Sequence, residues 1–317
     1  MPRVPRLTGA ACAAAAALAL LTASPATAAA PPLSDPRILV HFDLAAGQMP
    51  ENSAVEPNGS LDVTLLAAHQ VARIARNGAV AVLATLPPEP NPNTPLLGFA
   101  AATGIARAHD GTIYVAYATG TALTGIYRLG CDGSLEQIAR LPPEGLPNGL
   151  ALDERAGVLY SADSVLGVVR RIPLRGGEPT VWASGTALQP AGFIGANGIK
   201  VHEGAVWVSN TDLGVLLRIP VRPDGTAGAI ETRAEGLTGI DDFTFTGRNE
   251  DTVLAALNGP NQVAYVRPDG SHTIALTAED GLTSPTSVAV HGRTVFVTSA
   301  AFAPPPDPNV LTARLDR

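Results

Sequence analysis

Apolar and polar positions alternate along this chain in short runs of strand length, and the runs come in groups. The clearest are GSLDVTLLAAHQVARI (59–74), GTIYVAYATGTALTGIYRL (111–129), GVLYSADSVLGVVRRI (157–172), GAVWVSNTDLGVLLRI (204–219), DTVLAALNGPNQVAYV (251–266) and RTVFVTSA (293–300). Each is entered from a segment read here as a strand-entering turn: PENSAVEP (50–57), ATGIARAHD (102–110), PNGLALDE (147–154), ANGIKVHE (196–203), DDFTFTG (241–247) and PTSVAVHG (285–292). Alternation over so few residues, broken by Gly, Asp and Asn, predicts β-strands and hairpins rather than helices. At the matching position of each entering segment stand Glu51, Thr103, Asn148, Asn197, Asp241 and Thr286, separated by 52, 45, 49, 44 and 45 residues by subtraction. A repeat of that length, in which no unit can bury both of its sheet faces alone, predicts an all-β, six-bladed β-propeller.

The ends of the chain fit a closed ring. RILVHFDL (37–44) precedes the first full repeat and VLTARLD (310–316) follows the last, so the amino-terminal strand is expected to serve as the outer strand of blade 6 and remove a free sheet edge. Two proline-rich segments interrupt the pattern: PPEPNPNTPLLG (87–98), read as a loop over one face, and FAPPPDPN (302–309), inside blade 6.

Residues 1–30 follow another logic. Arg3 and Arg6 precede the apolar stretch ACAAAAALALL (11–21), which is too short to span a bilayer, and ATAAA (26–30) offers Ala-x-Ala cleavage sites. The expected organisation is a Sec-type signal peptide over 1–30 and one propeller domain over 31–317, with a secreted, extracellular product. Cys12 is not placed as a lipid-anchor cysteine, so no membrane anchor is expected. Arg3 and Arg6 are the only charges in the leader, and their removal takes the formal charge from −7 to −9. An acidic surface argues against nucleic-acid partners. Cys131 alone would survive cleavage, which excludes an internal disulfide; it is read as an incidental turn residue. The single lysine, Lys200, against twenty arginines reads as coding bias. A monomer is the default.

Four of the six repeat positions carry carboxylate or amide oxygens of the kind a calcium ion takes: Glu51, Asn148, Asn197 and Asp241. On a propeller axis they would converge as a metal site at the mouth of the central channel, of a kind suited to Ca²⁺. Asn-Gly pairs are also common turn residues, and Glu, a poor one, weighs against that reading for the set as a whole. Asp242 is the competing candidate to Asp241; alignment of DDFTF with NGLAL favours Asp241. Mg²⁺, Mn²⁺ or Zn²⁺ are alternatives, zinc being the poorest match to a set without His or Cys. His41, His69, His109, His202, His272 and His291 show no metal-ligand spacing; His69 is placed in the blade-1 strand and His109 in a turn. Asp163 and Asn210, which follow the inner strands of blades 3 and 4, are read as structural polar residues, with support of the metal ligands from behind as the alternative. No GxSxG elbow, P-loop or dinucleotide fingerprint occurs.

The segments PENSAVEP, PNGLALD, ANGIKV and DDFTF, with GVLYSADSVLGVVRRI, resemble the gluconolactonase, senescence-marker-protein and luciferin-regenerating-enzyme family of calcium-dependent propellers, whose wider relatives are diisopropylfluorophosphatase and the paraoxonases. The resemblance covers the chain after the leader. It implies a catalytic calcium held by Glu51, Asn148, Asn197 and Asp241, with Asp241 also acting as general base or nucleophile. It implies no ligand from the second and sixth blades, where Thr103 and Thr286 stand. One departure bears on substrate: sugar-acid lactonases of this family place an Arg two residues before the blade-3 Asn, and this chain has Leu146. With Phe193 or Phe243 near other mouth segments, Leu146 points to a substrate less polar than gluconolactone.

The expectation is a secreted, metal-dependent hydrolase of a small lactone or ester. The alternative is a non-catalytic propeller that binds a small ligand or protein and keeps a structural calcium. A lyase or condensing propeller of the strictosidine-synthase kind is a third, weaker reading.

Overall fold

The computed structural model describes residues 32–175, 177–304 and 306–316, together with Met1 and Pro2. The expected leader otherwise lies outside the described residues. One compact unit begins at Pro31.

Strand β1 (Leu33–His41) comes first. Blade 1 is β2 (Pro50–Val55), β3 (Leu61–Leu65), β4 (Gln70–Ile74) and β5 (Val80–Thr85); blade 2 is β6 (Ala101–Arg107), β7 (Ile113–Ala118), β8 (Gly125–Leu129) and β9 (Leu135–Arg140). Blade 3 is β10 (Pro147–Asp153), β11 (Val158–Asp163), β12 (Val168–Pro173) and β13 (Thr180–Ser184), and blade 4 is β14 (Ala196–His202), β15 (Ala205–Asn210), β16 (Val215–Pro220) and β17 (Glu231–Ala234). Blade 5 is β18 (Ile240–Gly247), β19 (Glu250–Leu257), β20 (Gln262–Val266) and β21 (His272–Leu276); blade 6 is β22 (Pro285–His291), β23 (Thr294–Ser299) and β24 (Asn309–Leu315). Each of blades 1–5 is a four-stranded antiparallel meander, and blade 6 gains its fourth strand from β1, which pairs antiparallel with β24. The six-bladed, all-β architecture and its closure by the amino-terminal strand therefore agree with the sequence. The closing strand starts earlier than expected and stops at His41, because Asp43 caps a 3-10 turn at Leu44–Ala46.

The core is six wedges rather than one centre. Each apolar cluster spans two neighbouring blades: Tyr160, Ala162 and Val169 of blade 3 pack on Ile199, Val206 and Leu217 of blade 4. Trp207 and Leu216 of blade 4 meet Phe243 and Val253 of blade 5. The last wedge, Leu61, Val63 and Ile74 with Phe296 and Val310, joins blade 1 to blade 6. Burying one such side chain contributes on the order of 1.5–3 kcal/mol, and only a closed ring supplies the facing blade each needs.

The structure corrects several sequence expectations. The segments read as entering turns are the innermost strands, β2, β6, β10, β14, β18 and β22, lining the channel. His69 lies in the turn between β3 and β4, at φ 54°, and not in a strand. Phe243 is fully buried in the wedge between blades 4 and 5, and Leu146 is 1% exposed, so neither lines an open mouth.

Candidate functional site

Every innermost strand is irregular at the same point. The antiparallel register jumps between Pro50 and Ser53, Ala102 and Ile105, Pro147 and Leu150, Ala196 and Ile199, Ile240 and Phe243, and Pro285 and Ser287. A bulge inserts a residue and re-aims the side chain there, and each of these bulges holds one of the six repeat positions. Glu51, Asn148, Asn197 and Asp241 thus sit in bulges at the starts of β2, β10, β14 and β18, all on the same end of the channel, and all are buried.

The bulge also explains the glycines after three of these positions. Gly104, Gly149 and Gly198 lie in strands and not in turns. A Cβ on Gly149 would lie 2.3 Å from Asn197 O, one on Gly104 2.2 Å from Asn148 O, and one on Gly198 2.6 Å from Asp242 Cα. Neighbouring inner strands approach too closely at the channel wall for a side chain, so Asn-Gly here reflects blade packing rather than turn chemistry.

A belt of side-chain donors fixes the mouth. Thr64 Oγ1 donates to Thr103 O (2.5 Å), Thr103 Oγ1 to Pro147 O (2.7 Å), Ser164 Oγ to Ala196 O (2.9 Å), Thr211 Oγ1 to Ile240 O (2.7 Å), Asn258 Nδ2 to Pro285 O (3.3 Å) and Thr286 Oγ1 to Pro50 O (2.9 Å). Each bond crosses from one blade to the next. Five of the six acceptors immediately precede a repeat position, so the belt locates the backbone carrying Glu51, Asn148, Asn197 and Asp241. Thr103 and Thr286 are two of its donors.

The two acidic members of the set lie together. Burial, with the charge of Asp242, pushes the Glu51 carboxyl up to about 8. Burial likewise holds Asp241 well above the usual carboxylate range, reinforced by Glu51 and Asp242 and opposed by hydrogen bonds from Asn197 and Asn258. Asn258 Nδ2 reaches Asp241 Oδ2 at 3.3 Å. Glu51 Oε2 is buried with no hydrogen-bond partner. An orphaned carboxylate oxygen beside a second buried carboxylate is an electrostatic debt that a divalent cation would cancel, and two carboxylates with two amides form a hard oxygen donor set. These residues fit a calcium ion.

Asp242 has a different environment. Lys200 Nζ lies 2.6 Å from both of its carboxylate oxygens, Ser287 Oγ donates to Oδ2 at 3.0 Å and Asn52 Nδ2 at 3.3 Å. Lys200 is thus the counter-ion of a buried channel carboxylate, which corrects its reading as coding bias. Asn52, Lys200, Asn258 and Ser287 escaped sequence reasoning. Asn258 follows β19 in the register at which Ser164 follows β11 and Thr211 follows β15, and that equivalence was the available signal. Asp163 and Asn210 are structural as expected: Asp163 Oδ1 accepts from the backbone of Leu146, Val165 and Leu166, and Asn210 Nδ2 donates to Ala187 O and Gln189 O.

A cavity of about 660 Å³ opens at the opposite end of the channel, lined among others by Lys200, His202, Phe245 and Arg248 and by none of the four mouth residues. Size alone would place a ligand there; the donor chemistry is at the mouth. Loops on the mouth face, joining one blade to the next or the second strand of a blade to its third, carry four exposed apolar side chains: Leu96, Phe193, Leu213 and Phe302. The Phe193 loop is pinned by Asp212 Oδ2, which accepts from the backbone N–H of Ala191, Gly192 and Phe193 at 2.7–2.8 Å. Loop 87–98 is tied down where Tyr117 Oη donates to Pro87 O and Thr94 Oγ1 to Ala118 O.

The sequence matches no protein-family model and no curated protein. Solved structures are similar in fold. They include regucalcin, a calcium-binding protein from Agrobacterium tumefaciens, with TM-score 0.65 and 17% identity, covering 90% of this chain and 96% of that one. A gluconolactonase from Xanthomonas campestris has TM-score 0.63 and 18% identity, covering 90% and 97%. Virginiamycin B lyase from Staphylococcus aureus has TM-score 0.59 and 15% identity, covering 89% and 100%. At these identities the likeness is one of fold, and it agrees with the propeller resemblance drawn from the sequence.

Proposed function

We propose that the protein is a calcium-dependent hydrolase of a small lactone or ester, with Glu51, Asn148, Asn197 and Asp241 as the metal ligands. One observation carries the reading: two buried carboxylates, one with an orphaned oxygen, lie together at the channel mouth beside the amides of Asn197 and Asn258, and among the described residues no basic side chain is bonded to either carboxylate. A bound Ca²⁺ would supply Lewis-acid polarisation of the substrate carbonyl. The chain's own groups do the rest. Asp241, oriented by the Asn258 amide, is the carboxylate that acts on the reaction, as base toward water or as nucleophile toward the carbonyl. The backbone belt holds the donors at fixed spacing, so little reorganisation is needed as charge develops.

Leu96, Phe193, Leu213 and Phe302 on the mouth face support a substrate less polar than gluconolactone, a role Leu146 and Phe243 do not fill because they are buried. In this reading the enzyme is exported after loss of residues 1–30 and works as a monomer. Among the described residues no helix is long and apolar enough to cross a membrane.

A non-catalytic propeller is the second reading, favoured by the cavity at the end of the channel away from the four ligands. A panel of aliphatic lactones, sugar lactones and aryl esters, assayed with Ca²⁺ and with chelator, separates the two. The hydrolase reading expects chelator-sensitive turnover, fastest on the apolar members and lost in Asp241→Asn. Calcium binding without turnover on any member would move the protein to the binding class.

A further inference from the structure

We propose that His202, Glu203 and Asp251 form a second metal site, for a zinc-class divalent cation, on the face of the propeller opposite the calcium ligands. His202 is the last residue of β14, Glu203 stands in the hairpin turn that follows, and Asp251 is near the start of β19. One ligand atom from each lies within 4.8 Å of the others. The site joins blade 4 to blade 5.

The imidazole is the independent pointer. His202 is 8% exposed, and its ring stacks on Phe245 with centroids 3.7 Å apart and planes 10° off parallel, which fixes its orientation. Its Nε2 is buried and has no hydrogen-bond partner. The nearest acidic atom is Asp251 Oδ1 at 3.5 Å. That separation is long for a hydrogen bond, but ligands about 2.0–2.2 Å from a tetrahedral zinc ion stand about 3.3–3.6 Å apart. Two of the three donors are therefore already at the spacing of a coordination edge. Glu203 is exposed, at φ 45°, and one of its carboxylate oxygens already lies within 4.8 Å of the other two donors. Arg233 is the local opposing charge: Nη2 is 3.7 Å from the other Asp251 oxygen, and its guanidinium rests over the Trp207 ring. It neutralises part of Asp251 without occupying Oδ1.

The donor set selects the metal. One imidazole with two carboxylates suits Zn²⁺ or Co²⁺ better than the all-oxygen preference of Ca²⁺. Of the three residues His202 also lines the 660 Å³ cavity, so the site borders that space. This site is independent of the calcium site: no residue is shared, and the chemistry of the donors differs.

The test uses the whole protein carrying Glu51→Gln and Asp241→Asn, which silences the mouth, stripped of metal and titrated with Co²⁺ and then Zn²⁺. The expected result is one equivalent of Co²⁺ with the visible absorption of a four-coordinate ion, displaced by Zn²⁺. In the same background Asp251→Asn and His202→Gln should each weaken Zn²⁺ binding roughly 10-fold or more. His202 packs in the core, so if His202→Gln fails to fold, the part-exposed Asp251→Asn decides. No stoichiometric Co²⁺ or Zn²⁺ in the parent, or unchanged affinity in Asp251→Asn, overturns the site. Calcium binding to the chain with an intact mouth is read separately and bears only on the hydrolase proposal.

Discussion

Asp241 and Asp242 are neighbours in the chain and opposites in the structure. Both fall in the bulge of β18, so one carboxylate turns to the mouth and the other into the channel. Asp242 is balanced within the protein, by Lys200 on both oxygens and by Ser287 and Asn52. Asp241 is bonded by the amides of Asn197 and Asn258, the carboxylates of Glu51 and Asp242 stand nearby, and among the described residues no basic side chain is bonded to it. The fold supplies a cation to one and leaves the other in want of one. An internal ion pair is architecture, whereas an unbalanced pair of buried carboxylates is an invitation to an external ion.

The largest effect should come from breaking the balanced half. Lys200→Met strands a carboxylate that is 1% exposed, and urea unfolding should show a loss of about 3–5 kcal/mol. A variant as stable as wild type would mean that Asp242 is paired by other means. On the unbalanced half, Asp241→Asn should lower turnover about 100-fold or more, equivalent to about 2.7 kcal/mol of barrier, without lowering the unfolding midpoint in the absence of metal. An equal loss of fold and activity would show that Asp241 is structural as well. Gly149→Ala sharpens the comparison from the packing side: its Cβ would meet Asn197 O at 2.3 Å, so blades 3 and 4 must part at the proposed ligands Asn148 and Asn197. A stability loss of about 1–3 kcal/mol is expected, together with weakened calcium binding.

The remaining effect is a pH dependence. Glu51 titrates near 8 in the folded, metal-free chain against 4.5 when unfolded. Between those values the native state holds the extra proton, so stability is full below pH 4.5 and falls as pH rises toward 8. Thermal melts of metal-free protein should drop across that window, and Glu51→Gln should flatten the profile. Saturating calcium should do the same by ionising both carboxylates.

These contrasts also show which parts were legible in the chain. The six-fold repeat was visible because the residues flanking the channel bulge recur in register, and the ring closure because an unpaired strand-like segment stood at the amino terminus. The outer strands were missed: VAVLAT of β5 is exposed or half-exposed along its length and shows no alternation to read. The mouth positions were found, but as turns, because Asn-Gly has the same composition whether it makes a hairpin or lets two strands touch. Lys200 and Asp242 are 42 residues apart and meet only when blade 4 packs on blade 5. Phe243 was placed at the mouth because a bulge shifts the inside-outside alternation that a regular strand would follow.

Calorimetric titration of metal-free protein with Ca²⁺, run at several pH values in buffers of different ionisation enthalpy, tests the central claim most directly. The account predicts one bound ion, affinity rising with pH to about 8 as the Glu51 proton is displaced, and loss of binding in both Glu51→Gln and Asp241→Asn. Absence of binding, or an affinity untouched by either substitution, would contradict it.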